Sequence, residues 1–288
     1  MRSSKATIRA VLLLSCPERP GIISDVSNFL VKHGANIVQF DQHTTDPQDG
    51  VLFMRIEFDL EDDRHFAKLK GNLAAMAGEY GMEWRLSHER QTKRMAIFVS
   101  KMDHCLLELL WRWKSGEIHA EIPMVISNHN DLREAVESYG IPYYHIPVSA
   151  ETKEEAEAKT LELLKDKVDL IVLARYMQIL SPAFISHYPD QIINIHHSFL
   201  PAFIGANPYR KAFERGVKLI GATAHYVTND LDEGPIIEQD VVRVNHRYNE
   251  AALKIAGRQV ERSVLAQAVA WHLKDHVLVY GNKTIVFA

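Results

Sequence analysis

Hydrophobic residues in the first third of the chain recur with two different spacings. One set shares a face of a predicted helix and consists of Ile22, Val26, Phe29 and Leu30. Gly34 follows this set, where glycine commonly ends a helix. Apolar runs bounded by Gly, Pro, Asn and Asp predict strands around it. The predicted elements are a strand at 8–16, a helix at 22–33, a strand at 36–44, a turn at 46–50, a strand at 51–60, a helix at 64–80 and a strand at 82–87.

This βαββαβ order predicts a ferredoxin-like sandwich, in which two helices cover an antiparallel sheet. From Met95 onward the pattern changes, and short apolar runs alternate with helical segments. Predicted strands lie at 95–100, 124–127, 143–147, 170–174, 192–196 and 222–227, with a final helix at 251–273. Such alternation predicts a Rossmann-like, mostly parallel sheet with helices on both faces.

The chain is therefore predicted to be α/β, with a first domain at residues 1–88, a charged linker at 89–94 and a second domain at 95–288. Apolar residues make up 47% of the 288 positions, which is enough to give each domain its own core. The net charge of −4 gives no electrostatic reason to expect nucleic acid or an anionic membrane as a partner. Only Cys16 and Cys105 carry thiols, as is typical of a reducing compartment, and we expect a cytoplasmic protein without a membrane partner.

Asn194 and His196 end the predicted strand at 192–196. Ligands of parallel sheets bind beyond the carboxyl ends of the strands. Because strand residues alternate, both side chains point the same way while Ile195 points into the core. A carboxamide beside an imidazole can stabilise an oxygen that gains negative charge when an acyl or formyl carbon is attacked.

An acidic loop at residues 228–235 supplies a second candidate, Asp232. A carboxylate returning from this loop can hold a proton or position a water molecule. Taken singly, neither pattern is specific for catalysis. Strand-end histidines are often structural, and loops rich in Asp and Asn are most often solvated turns.

A metal site is the alternative for the same region, with the ligands His196, His197, His225 and Asp232. Adjacent strand residues point to opposite faces, so His196 and His197 are not placed to share an ion. His272 and His276 have helical spacing but no defined third ligand, and we expect them on the surface. We therefore predict that the site holds no metal.

The segment SCPERPGII, residues 15–23, resembles the opening loop of an ACT domain. The resemblance implies a regulatory or dimerisation domain, a homo-oligomer (dimer or tetramer), and glycine or methionine as an effector. Its candidate effector-binding residues are Arg19, Gly21 and Ile22, where a helix N-terminus offers backbone N–H groups to a carboxylate. The alternatives are a tight strand-to-helix turn, or a domain that acts only as a dimerisation surface.

Three segments together resemble the formyltransferase fold family that uses 10-formyltetrahydrofolate: LARYMQIL at 173–180, NIHHSFLP at 194–201 and LDEGP at 231–235. The resemblance covers about residues 95–245 and implies the catalytic residues Asn194, His196 and Asp232. It implies a folate pocket at Met177, Gln178, Ile179, Leu180, Asn229, Asp230 and Leu231. His225 is a further candidate beside the cleft, unless it is only a strand residue that faces the same way.

Departures from this family narrow the identity of the formyl acceptor. SKMDHCL at 100–106 stands where glycinamide ribonucleotide formyltransferase has a glycine-rich phosphate loop, and Asp103 would repel a phosphate. The nucleic-acid-binding domain of the methionyl-tRNA enzyme is not expected after residue 273. Water is then the simplest acceptor, and the whole chain resembles formyltetrahydrofolate deformylases.

This resemblance implies hydrolysis of 10-formyltetrahydrofolate to tetrahydrofolate and formate without a cofactor. It also implies a role in supplying formate to one-carbon and purine metabolism and in balancing folate pools. The alternative is formyl transfer to a small amine, which requires a pocket beside His196 that holds the amine.

Overall fold

The computed structural model describes residues 7–46, 48–201 and 208–288. The chain divides into two compact units. The first runs to Thr92 and includes Asp275–Tyr280 and Ile285–Ala288, and the second comprises Lys93–Lys274 and Gly281–Thr284. Residues 1–6 of the predicted first domain and Pro47 of the predicted turn lie outside the described residues.

The first unit contains β1 (Ile8–Pro17), α1 (Ile22–Lys32), β2 (Asn36–Thr44), β3 (Val51–Leu60), α2 (Asp63–Tyr80) and β4 (Glu83–His88). Its strands form an antiparallel sheet in the order β2-β3-β1-β4, which confirms the predicted ferredoxin-like fold. Alternate residues of β1 and the helical face of α1 meet in one core, to which Leu12, Leu14, Val26 and Leu30 belong. The periodicity of the sequence therefore predicts the buried faces.

The second unit contains β5 (Met95–Val99), α3 (His104–Lys114), β6 (Val125–Ser127), α4 (Arg133–Glu137), β7 (Tyr143–His145), α5 (Lys153–Leu164), β8 (Leu170–Leu173), α6 (Pro182–Ile185), β9 (Ile192–His196), α7 (Pro208–Arg215), β10 (Leu219–Tyr226), β11 (Ile236–Arg243) and α8 (Glu250–Leu273). Its described residues form a seven-stranded sheet in the order β11-β10-β9-β8-β5-β6-β7. The five strands from β7 to β9 are parallel, and β10 and β11 are antiparallel. The predicted mostly parallel sheet is confirmed.

The end of the chain differs from the predicted boundary, which placed all of residues 95–288 in the second domain. After α8 come β12 (Val277–Tyr280) and β13 (Lys283–Val286), which pair with each other. Buried Asp275 accepts hydrogen bonds from Ser87 Oγ at 2.6 Å and pairs with Arg85 Nε at 3.0 Å. Its backbone carbonyl accepts from Arg55 Nε at 3.0 Å. Buried charges require such partners, so residues 275–280 group with the first unit.

Two local features of the second unit position its functional side chains. β10 runs antiparallel to β9, so His225 lies opposite Asn194, and an irregular register follows Ala224. Bulges of this kind re-aim a side chain beside a site. Asn249 caps the N-terminus of α8, and its side chain accepts a hydrogen bond from Ala252 N at 2.9 Å. None of the described helices has both the length and the apolar character to cross a membrane.

Candidate active site

A cavity of about 690 Å³ lies in the second unit, beyond the carboxyl ends of β8 and β9. This volume is in the range of small-molecule sites. Its lining includes all the residues that the sequence predicts for catalysis and folate binding: Asn194, His196, Asp232, His225, Met177, Gln178, Ile179, Leu180, Asn229, Asp230 and Leu231. The structure therefore brings the predicted set together, from three separate segments of the chain.

Part of the cavity wall is apolar. Met177, Ile179 and Leu231 line it and remain 57–61% exposed, although each is a large hydrophobic residue. The backbone N–H of Met177 donates a hydrogen bond to Ser100 Oγ at 3.0 Å, which fixes the main chain at this position. Exposed apolar side chains around a concave surface mark a ligand site, and a flat ring is the kind of group that they would cover.

Asp232 and His196 form the central pair of the cavity. Asp232 Oδ2 lies 3.2 Å from His196 Nδ1, and both side chains are largely buried. The backbone of Asp232 has φ 60°, a left-handed conformation that aspartate adopts more readily than most residues with a side chain. This turn directs the carboxylate back toward the strand end. His196 Nε2 is buried without a hydrogen-bond partner among the described residues, so it is available to a substrate atom.

Asn194 is oriented by His225. The Nδ1 atom of His225 lies 2.9 Å from the carbonyl oxygen of Tyr226, which can only accept, so Nδ1 carries the proton. Burial lowers the pKa of His225, which favours the neutral ring. Its Nε2 then accepts a hydrogen bond from Asn194 Nδ2 at 3.2 Å. This bond fixes which way the Asn194 amide faces.

The carboxylate of Asp232 remains ionised. Burial alone would raise the pKa of Asp232, but the hydrogen bond from His196 and the nearby histidines outweigh burial and lower it below its usual value. His225 Nε2 lies 3.8 Å from Asp232 Oδ1, which is too far for a hydrogen bond. The remaining acceptor capacity of Asp232 suits it to hold a water molecule or a proton.

The cavity wall also contains a buried charged cluster that is not predicted from the sequence. Glu261 accepts hydrogen bonds from Tyr209 Oη at 2.6 Å and from His104 Nε2 at 2.8 Å. Arg175 Nε lies 3.5 Å from the same carboxylate. Burial would raise the pKa of Glu261, but the His104 hydrogen bond and the Arg175 charge outweigh it and lower the pKa to about 2. One feature of the sequence indicates this cluster. Glu261 is a charged residue on the apolar face of α8, beside Val260, Val264 and Leu265.

His197 lies between this cluster and the central pair. The sequence predicts that His196 and His197 point to opposite faces of a strand, and that prediction is wrong, because both line the cavity. β9 ends at His196, so strand alternation does not extend to His197, and the two ring centroids are 5.3 Å apart. Burial and the charge of Arg175 lower the pKa of His197 to about 4.

Comparison with known proteins identifies the family. Residues 93–269 match the Formyl transferase family, and residues 10–73 match the ACT domain. A formyltetrahydrofolate deformylase of Bacillus subtilis is 59% identical over 278 residues, which cover 96% of this chain and 93% of that protein. The chain belongs to the formyltetrahydrofolate deformylase family.

Solved structures agree with membership of the deformylase family. A formyltetrahydrofolate deformylase from Pseudomonas syringae has a TM-score of 0.93 and 47% identity, covering 99% of this chain and 96% of that chain. Glycinamide ribonucleotide transformylase 1 from Symbiobacterium toebii has a TM-score of 0.66 and 28% identity, covering 71% of this chain and 98% of that chain. The similarity to the deformylase therefore spans nearly the whole chain, whereas the transformylase matches a smaller share.

The alternative metal set does not form a cluster in this deformylase-family site. Among the described residues, the donors that come within 4.8 Å of one another as a group of three belong to His104, Cys105 and Glu261. Burial and the Glu261 charge raise the pKa of the Cys105 thiol well above its usual value, which disfavours the thiolate that binds metals. Glu261 is also already paired with Arg175. The group therefore has the chemistry of an ion pair with hydrogen bonds.

The effector-binding residues of the ACT domain stay a prediction. Gly21 has φ 96° at the start of α1, and no side chain caps this helix N-terminus. Arg19 lies over the Tyr80 ring, 4.2 Å from its centroid. Ile22 is 1% exposed, so the residue as a whole is buried at the start of α1. Asp25 occupies the first turn of α1 and would oppose a carboxylate there.

His197→Gln is expected to weaken the pH dependence of stability. The unfolded imidazole takes up a proton near pH 6.5, whereas the folded-state pKa is about 4. Stability from the neutral histidine is therefore complete above the unfolded pKa and falls as pH drops toward the folded value, by about 3 kcal/mol at most. Urea unfolding of wild type and variant at two pH values, one on each side of this window, measures the difference. Exposed His187, changed to Gln, is the matched control, and an equal pH dependence in wild type and His197→Gln would contradict the assignment.

Proposed function

We propose that this protein hydrolyses 10-formyltetrahydrofolate to tetrahydrofolate and formate. The observation that carries the proposal is the pairing of Asp232 with His196 Nδ1, which leaves buried His196 Nε2 available beside Asn194. Relatives and solved structures that match nearly the whole chain are named formyltetrahydrofolate deformylases. The apolar part of the cavity wall then holds the pterin, with the formyl group near the central pair.

In the proposed reaction, Asp232 orients a water molecule and accepts its proton as the oxygen attacks the formyl carbon. The carbonyl oxygen becomes an oxyanion. His196 Nδ1 donates to the Asp232 carboxylate, which can only accept, and His196 Nε2 faces the reacting atoms. The Asn194 amide donates to the oxyanion. The proton that Asp232 takes from water is then delivered to N10 with the help of His196, the carbon–N10 bond breaks, and formic acid leaves and loses its remaining proton to solvent as formate.

Formate release in a buffer free of amines tests this proposal. Purified protein given 10-formyltetrahydrofolate is expected to produce formate and tetrahydrofolate in equal amounts, well above a protein-free control. The absence of formate, with turnover appearing only when an amine is added, would overturn hydrolysis in favour of formyl transfer. Transfer is the less favoured function, because the transformylase structures match a smaller share of the chain.

The ACT domain supports two narrower proposals. We propose that it binds a small amino acid, with glycine and methionine as the first ligands to test, and that the protein is a homo-oligomer. Calorimetric titration without heat for either amino acid would count against the effector. Sedimentation as a monomer at micromolar concentration would contradict the oligomer.

A further inference from the structure

The proposed mechanism leaves one part of the cavity wall without a role. This part, the acceptor-side cluster, consists of His104, Arg175, Tyr209 and Glu261. We propose that the acceptor-side cluster excludes amines from the formyl carbon, so that water is the nucleophile. The inference rests on the proposed hydrolysis and names the residues that select the acceptor.

The members of the acceptor-side cluster pack against one another in the cavity wall. They come from four segments: His104 begins α3, Arg175 follows β8, Tyr209 lies in α7 and Glu261 in α8. Glu261 is 1% exposed and Tyr209 7% exposed, although both border the cavity. These side chains cover one another, because Glu261 accepts hydrogen bonds from both Tyr209 and His104.

The cluster also leaves no free carboxylate to hold an amine. An amine placed for attack needs acceptors for its N–H groups, and Glu261 is the buried acceptor in this part of the described cavity wall. One oxygen of Glu261 accepts from Tyr209, and the other accepts from His104 and lies near Arg175. A buried carboxylate with these partners has little to gain from a new ligand.

Arg175 supports the inference through its backbone. Its φ of 63° is left-handed, a conformation that favours glycine over residues with a side chain. An arginine at such a position indicates that its side chain has a structural or functional role. The guanidinium is 12% exposed, pairs with Glu261, and lies close enough to His197 to lower the pKa of that ring. It therefore stands next to the catalytic strand end.

Gly257, in the middle of α8, leaves room for the side chain of Tyr209. A Cβ atom at Gly257 would overlap the Tyr209 hydroxyl. Glycine weakens a helix interior, so its presence here has a packing reason. Gly257 allows the tyrosine ring to lie directly against the helix backbone, within reach of Glu261 one turn later. The sequence of α8 thus accommodates the member of the cluster that comes from α7.

The chemistry shows why such a cluster can decide the reaction. In hydrolysis the water oxygen bonds to the formyl carbon, the carbon–N10 bond breaks, and a proton from water ends on N10. In transfer the amine nitrogen bonds to the same carbon, the same bond breaks, and a proton from the amine ends on N10. Both reactions use the same catalytic side chains. They differ in the nucleophile, because an amine has a substituent and N–H groups that need partners in the cavity wall.

Arg175→Gly tests the inference directly, because glycine suits the left-handed backbone and removes the guanidinium. Wild type and variant are given 10-formyltetrahydrofolate with glycinamide, and N-formylglycinamide and formate are quantified by mass spectrometry. We expect the ratio of N-formyl product to formate to rise roughly tenfold or more in the variant. Arg247→Gly is the matched control, because Arg247 is exposed, lies in a turn and is not part of the cavity wall.

Tyr209→Ala is the second variant, in case Arg175→Gly does not fold. Circular dichroism and continued formate release establish that a variant is folded and active. A folded variant whose product ratio equals that of wild type would overturn the role of the acceptor-side cluster. Wild-type protein that releases no formate would instead overturn the proposed hydrolysis, so the two failures are distinguishable.

Discussion

Asp232→Asn is expected to lower turnover of 10-formyltetrahydrofolate by roughly a thousandfold, within the usual contribution of a positioned general base. Asparagine has nearly the same shape as aspartate, but its neutral amide cannot accept a proton from water. It also removes the carboxylate that accepts from His196 Nδ1, which lies 3.2 Å from Asp232 Oδ2, and so changes the partner that fixes this ring. Both effects act on the transition state, so kcat should fall far more than the affinity for folate.

Glu233→Gln is the matched control for this variant. Glu233 is the next residue along the loop and is exposed, so the change removes the same charge without touching the cavity. Near-normal kcat in Asp232→Asn would remove Asp232 from the mechanism. Equal losses of kcat in both variants would show that the negative charge of the loop acts by long-range electrostatics and not through the contact between Asp232 and His196.

Asn194→Ala is expected to lower kcat by roughly a hundredfold or more, because losing one oxyanion donor typically costs about 3 kcal/mol in the transition state. The structure adds a reason for this amide to be well placed. His225 accepts a hydrogen bond from Asn194 Nδ2, and the Tyr226 carbonyl sets the tautomer of His225. The donor is therefore oriented before substrate binds, which is what oxyanion stabilisation requires.

Asn245→Ala provides the comparison, because it removes an exposed asparagine side chain in the same unit. Steady-state kinetics should show a lower kcat in Asn194→Ala, with KM changed much less. A raised KM with normal kcat would assign Asn194 to ground-state binding and contradict its role as an oxyanion donor.

Local periodicity predicts the elements of this fold and the positions of its strand ends. The predicted helix at 251–273 lies within one residue of α8, and the predicted strand at 192–196 coincides with β9. Asn194 and His196 follow from strand alternation, because the site lies where a parallel strand stops. Asp232 was accessible only through its loop motif, since its contact with His196 spans 36 positions of sequence.

Contacts between residues that are far apart in sequence cannot be predicted from local periodicity. The sequence predicts His272 on the surface, but the residue is buried, with a ring nitrogen 2.7 Å from Tyr226 Oη. The sequence also predicts Asp275 in the second domain, because nothing local links it to Arg55 or Arg85. The acceptor-side cluster joins residues up to 157 positions apart. Such partners are selected by packing, and the sequence marks them only as charged residues on apolar faces.

The most direct test of hydrolysis is the source of the oxygen in formate. The protein is given 10-formyltetrahydrofolate in water enriched in oxygen-18, without amines, and the formate is analysed by mass spectrometry after a single turnover. If water is the acceptor, each formate carries one oxygen from the solvent, and tetrahydrofolate appears in equal amount. Unlabelled formate, or a formyl group found on another acceptor, would contradict the account.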